Sequence, residues 1–157
     1  MTNNEQNAEN GQVFIEQLMQ KITEQSPDEA SAQRAIELAM EIVVNPGKVN
    51  LDAEDVNWIL DSPGTFAAFD VVIGDDCVNR GDELVNQLTA QTADFGKINS
   101  ILINFYQTDK SFITTRELQV FSEWLDSNHP DIDIVWGTSI DDQATYSLRA
   151  IVLLSHD

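Results

Sequence analysis

Ile98-Asn99-Ser100-Ile101-Leu102-Ile103-Asn104-Phe105-Tyr106 is apolar almost without interruption and rich in β-branched and aromatic side chains. Such a run reads as a strand. Working outward, Phe66 to Ile73 is a second run of the same kind, and Ile132 to Trp136 and Tyr146 to Leu154 read as the last two strands. After a turn at Asp75-Asp76, a helix from Asn79 to Thr89 carries Leu84, Val85 and Leu88 inward. Thr114 and Glu117 have the spacing of a capping box for a further helix, with Leu118, Phe121, Trp124 and Leu125 on its inner side and His129-Pro130 as its stop. From residue 65 the order is strand, helix, strand, helix, strand, strand, which predicts one sheet with helices packed on a face.

Upstream, residues 1–11 are polar and read as a flexible tail. Residues 12–25 place Val13, Phe14, Ile15, Leu18, Met19 and Ile22 at helical spacing, one apolar stripe on a polar rod. Ser26-Pro27-Asp28-Glu29 restarts a helix, with Ser26 as the expected cap and Pro27 in the first turn. This helix runs to Val44 along a stripe of Ala32, Ala35, Ile36, Ala39, Ile42 and Val43, and Asn45-Pro46-Gly47 ends it. A short helix from Asp52 to Leu60 follows, stopped by Ser62-Pro63-Gly64.

The chain of 157 residues has the length of one domain. It sets 27 Asp and Glu against 8 Lys and Arg, a formal charge of −19, with 42% hydrophobic residues. That balance argues against nucleic acid and anionic membrane as partners, since binding phosphate takes clustered cations. No apolar run is long enough to span a bilayer and the first residues do not resemble a signal peptide, so a soluble, cytoplasmic protein is expected. Cys77 is the single cysteine, which excludes an internal disulfide, and its neighbours Asp75 and Asp76 disfavour a thiolate. The seven glycines are too scattered for a phosphate-cradling loop. His129 and His156 read as surface residues, and Asp131/Asp133 and Asp141/Asp142 as loop caps, because the full calcium-loop spacing is missing. No cofactor and no metal site are expected.

One constellation stands apart. Gly47-Lys48-Val49-Asn50-Leu51-Asp52-Ala53-Glu54-Asp55 sets an asparagine and two aspartates at the start of the short helix. Residues three apart share a helical face, so Asp52 and Asp55 could hold a water or cation between them. The plainer reading is capping, since acids in a first turn complement the helix dipole.

Asn45 to Val56 resembles the synergy loop of FtsZ, the tubulin-like cell-division GTPase, which reads Pro-Gly, two residues, then Asn-x-Asp-x-x-Asp. Asn79-Arg80 is similar to the pair that opens the next family helix. Ile101 to Tyr106, Ile134 to Asp142 with its Gly-x-x-x-Asp turn, and Ser147 to Ser155 resemble the strands that follow. The segment Gly74-Asp75-Asp76-Cys77-Val78 departs from the family's Gly-rich turn. The Gly-Gly-Gly-Thr-Gly signature of the nucleotide domain does not occur, nor does the family's C-terminal docking peptide.

The resemblance implies an α+β fold: a four-stranded mixed sheet with two helices on one face, preceded by a long helix and a short loop helix. It implies an FtsZ C-terminal-like domain over 26–157, which follows the tail (1–11) and the extra amphipathic helix (12–25) read from the residues. In the family the long helix lies between two domains, so helix 12–25 is the expected cover for its second face. In family filaments the synergy loop enters the neighbouring subunit's nucleotide site, where its carboxylates orient the attacking water. Gly47, Asn50, Asp52 and Asp55 are the residues that would act so here, in trans. The expected protein is therefore not an enzyme alone but a partner of a full-length FtsZ-type GTPase. The alternatives are a self-associating structural module with a vestigial loop, or one half of a split GTPase.

Overall fold

The computed structural model describes residues 15–44, 51–142 and 144–157. The expected tail at 1–11 and the first three residues of the expected helix 12–25 lie outside them. Five helices and four strands follow in chain order: α1 (residues 15–25), then α2 (Glu29–Val44), α3 (Ala53–Leu60), β1 (Thr65–Ile73), α4 (Arg80–Thr92), β2 (Ile98–Gln107), α5 (Thr115–Asn128), β3 (Asp133–Ile140) and β4 (Leu148–His156). The strands form one mixed sheet in the order β1-β4-β2-β3. Strand β4 runs antiparallel to both β1 and β2, while β3 lies parallel to β2 after the α5 crossover.

Successive side chains of a strand alternate between faces, and here both faces are covered. Val71, Ile73, Ile101, Ile103, Phe105, Ala150, Val152 and Leu154 pack against Leu84 and Leu88 of α4 and Phe121, Trp124 and Leu125 of α5. On the other face Leu102, Tyr106, Ile151 and Leu153 meet Ala35, Leu38, Ala39 and Ile42 of α2 and Val56, Ile59 and Leu60 of α3. A strand buried on both sides favours apolar residues at most positions, which accounts for the nearly continuous run at Ile98–Tyr106; its buried polar residues Ser100 and Asn104 are met by the hydroxyls of Ser62 and Ser139. No helix among the described residues is long and apolar enough to cross a membrane.

Helix α1 belongs to the second layer. Leu18 and Ile22 are fully buried in the α2/α3 cluster. At its C-terminal end Lys21 Nζ donates to Asn57 Oδ1 at 2.6 Å and Gln25 Nε2 to the Leu60 carbonyl at 2.8 Å.

Several boundaries differ from the sequence expectation. Ser26 does not cap α2: its hydroxyl donates back to the Ile22 carbonyl at 2.6 Å and closes α1. Asp28 takes the capping role, its carboxylate accepting the Ser31 N–H at 2.7 Å, and that bond holds its carboxyl below the usual range. Pro27 therefore precedes the helix instead of opening it. Helix α4 continues to Thr92. Strand β3 starts one residue after Ile132 and continues through Gly137 to Ile140, because those residues pair with Asn104–Gln107 of β2. Strand β4 starts at Leu148 and ends at His156, two residues later at each end than expected.

Deleting residues 1–25 would bare the apolar α2/α3 surface that Leu18 and Ile22 close. The truncated chain is expected to dimerise or aggregate in sedimentation velocity, and the double variant Leu18→Ala/Ile22→Ala to lose about 4 kcal/mol or more in urea unfolding. A monomeric truncation of unchanged stability would contradict this role.

Candidate functional site at the start of helix α3

Leu51 is buried and pins the chain entering α3, while Val56, Ile59 and Leu60 fix the helix on the sheet. Asp52 is the N-cap, with extended backbone angles (φ −129, ψ −174). Its Oδ1 accepts the N–H groups of Glu54 at 3.0 Å and Asp55 at 3.2 Å. In return Asp55 Oδ2 accepts the Asp52 N–H at 2.9 Å. The pair forms a reciprocal capping box, which fixes both carboxylates against the helix start. The box uses one oxygen of each carboxylate and leaves the second outside it. Asp52 is exposed and Asp55 half-buried. Gly47 and Asn50, the other two residues expected at this site, lie outside the described residues.

Helix α1 reaches only the far end of α3. Its polar contacts among the described residues are to Asn57, Leu60 and Asp61, in the C-terminal half of α3. Helix α2 passes from Arg34, beside Asp70 at 3.1 Å, to Glu41, which takes a bidentate grip on Arg149 near the start of β4. The Glu41 turn of α2 therefore lies toward the end of the sheet where β4 begins. Loops 74–79, 108–114 and 141–147 emerge at that same end. Two exposed apolar side chains, Val78 and Phe112, are carried there.

Two arginine networks brace this end, and sequence reading identified neither. Arg80, the first residue of α4, forms a bidentate pair with Glu117 at 2.6 and 2.7 Å. It also donates to Ser111, Phe112 and Ser147. Glu117 is the reciprocal cap of α5, accepting the Thr114 N–H at 2.8 Å. One carboxylate thus ties α4, α5 and two loops together. Burial pushes the Glu117 carboxyl up, but the Arg80 guanidinium and the Thr114 N–H outweigh it and hold the group below its ordinary value. On the opposite face Arg149 binds Glu41 and Asp70 and lies over the Tyr106 ring, 5.5 Å from its centroid. Burial raises the Tyr106 phenol to about 12.

A cavity of about 520 Å³ opens between the first turns of α4 and α5. Its buried cation, Arg80, is fully engaged, and Asp75, Asp82 and Glu117 also line it. A second cation, Arg116, lines the cavity beside these acids. Asp141 accepts the Tyr146 hydroxyl at 2.8 Å, a structural contact within its loop. Among the described residues no three His, Cys, Asp or Glu side chains are grouped to hold a metal ion.

No protein-family model matches the chain. Cell division protein FtsZ 1 of Halobacterium salinarum is 29% identical over 125 residues, covering 78% of this chain and 31% of that protein. Cell division protein FtsZ of Haloferax mediterranei is 28% identical over 127 residues, covering 78% and 32%. The chain thus spans about a third of the length of the curated relatives it matches. Among solved structures, an empty FtsZ dimer of M. jannaschii superposes with a TM-score of 0.55 at 20% identity, over 87% of this chain and 43% of that one. GDP-form protofilaments of TubZ from Bacillus thuringiensis serovar israelensis give 0.61 at 16% identity, over 88% and 39%. These structural likenesses concern the fold.

Arg80 and Glu117 are both about nine-tenths buried, at 10% and 13% side-chain exposure. Arg80→Met leaves the Glu117 charge without its partner and should cost about 3–5 kcal/mol in chemical denaturation. The lowered Glu117 carboxyl stabilises the fold at pH values above its ordinary 4.5. That contribution fades as pH falls from there through the lower folded value. Glu117→Gln should therefore show a smaller loss of stability than wild type over that acid interval.

Proposed function

We propose that this chain, a homologue of the cell-division protein FtsZ with the FtsZ/tubulin-like fold, is a binding protein and not a GTPase by itself. It docks the start of α3 against the nucleotide face of a complete FtsZ-type GTPase and changes that protein's assembly or GTP hydrolysis. The observation that carries the reading is the Asp52/Asp55 capping box: two carboxylates held by reciprocal bonds, with α1 packed on the far end of their helix. GTP hydrolysis of this kind depends mostly on positioning and on charge placed around the transferred phosphoryl group. A rigid pair of carboxylates, one exposed and one half-buried, meets that need for a water held near a partner's γ-phosphate. Gly47 and Asn50 would complete the loop.

The split-GTPase alternative needs the outer surface of α2 for a separate nucleotide domain. Leu18 and Ile22 of α1 are buried in the α2/α3 cluster, and such a domain would have to displace them.

The capping role complicates the obvious test. Asp52→Ala removes the N-cap, which alone costs roughly 0.5–2 kcal/mol. Asparagine caps as well as aspartate, so Asp52→Asn/Asp55→Asn keeps the acceptors and removes the charge. The experiment measures polymer mass and GTP turnover of full-length Halobacterium salinarum FtsZ with this protein in stoichiometric excess. Wild type is expected to change both, and the double asparagine variant to bind while altering turnover at least tenfold less. Unchanged polymer mass and turnover with wild type would reject the reading, and equal effects of both forms would remove the carboxylates from it.

A further inference from the structure

We propose that the free edge of β3 receives an extended, cationic segment of another protein as a fifth strand. Strand β3 pairs only with β2, so its outer row of N–H and C=O groups is unpaired among the described strands. Natural edge strands are usually guarded by a charge, a proline or a covering element. The stretch Ile134-Val135-Trp136-Gly137-Thr138-Ser139-Ile140 contains neither charge nor proline. The opposite edge, β1, differs: Asp70 stands in it, ion-paired to Arg34 of α2.

Beside the β3 edge lies a groove of about 240 Å³, with Leu118 and Leu125 of α5 on one wall, Ile134 and Trp136 on the other, and Phe105 and Phe121 also lining it. Trp136 is 44% exposed. Ile134 packs with the α5 layer and Val135 with the opposite one, so the pleat at this edge is in register with both layers. A strand laid alongside would turn every second side chain toward the groove. Main-chain bonds would supply affinity and the groove selectivity, as in other strand additions.

Charge identifies the occupant. The edge begins among acids, with Asp131 and Asp133 at the start of β3, Asp133 on the face opposite Ile134, and Asp126 next to Leu125 of the groove wall, and no described cation pairs with any of them. The segment that fits has aliphatic residues at alternate positions and lysine or arginine beside Asp133. A second copy of this chain does not fit: its own edge from Ile134 to Ile140 has no cation, and each chain carries a formal charge of −19. The interaction is independent of the α3 site.

The test uses two nine-residue peptides of identical composition, one alternating valine and lysine, the other with the valines and lysines in separate blocks. Binding to the full chain is followed by calorimetry and by hydrogen exchange at physiological salt. The alternating peptide is expected to bind one per chain and to slow exchange in residues 133–140. Trp136→Arg, at an exposed position, should weaken it at least tenfold. Asp126→Asn/Asp131→Asn/Asp133→Asn should weaken it at least threefold; asparagine tolerates the positive φ of 66 at Asp131. The proposal is overturned by no binding at millimolar peptide, by equal binding of the block peptide, by protection outside β3, or by self-dimerisation that Trp136→Arg abolishes.

Discussion

Strand β4 has to satisfy four neighbours at once: β1 and β2 at its edges, the α4/α5 layer above and the α1–α3 layer below. That requirement sets the rest of the structure. It demands apolar residues on both sides, and Ala150 to Leu154 supply them, all essentially inaccessible to solvent. The exception is Arg149, at the end of the strand where α2 finishes. A guanidinium there is tolerable only if its charge is met, and Glu41 and Asp70 meet it from α2 and β1. The same bonds hold the C-terminal part of α2 against the sheet.

Under the proposed function the cap would serve two ends with one geometry. As a structural device, the Asp52/Asp55 box satisfies N–H groups at the first turn of α3. As a surface device, it holds carboxylates in fixed positions at little entropic cost, because the bonds that order them are those that start the helix. Capping and presentation are therefore not competing explanations of the same residues. Only charge-removing substitutions that keep the acceptor atoms separate the two.

Much of the fold was legible in the sequence wherever a local rule decided the outcome. The two-sided burial of β2 left a nearly continuous apolar run, and the α5 box wrote Thr114 and Glu117 at their spacing. Local reading failed where two local options competed or where a partner lay far away. Ser26 and Asp28 are both capping residues, and the end of α1 claimed the first. Gly137-Thr138-Ser139 lacks strand character by itself and is extended because β2 pairs with it. Tyr146 and Ser147 sit before β4 because Asp141 and Arg80 hold them. The arginine networks span 37 and 108 residues of sequence, and no motif spacing reports such pairs. At the candidate site the two aspartates and their mutual spacing were readable, whereas their reciprocal bonding required the helix to be placed.

The strand order β1-β4-β2-β3 also has a temporal side. The centre of the sheet is filled by residues 148–156, which leave the ribosome after every other element. Until they emerge, β1 and β2 have no strand between them, and their apolar faces wait beside helices that are already complete. Pairings across such separations are slow to close, and waiting edges of this kind invite aggregation. Closure of the sheet thus waits for β4, the last of its four strands in chain order.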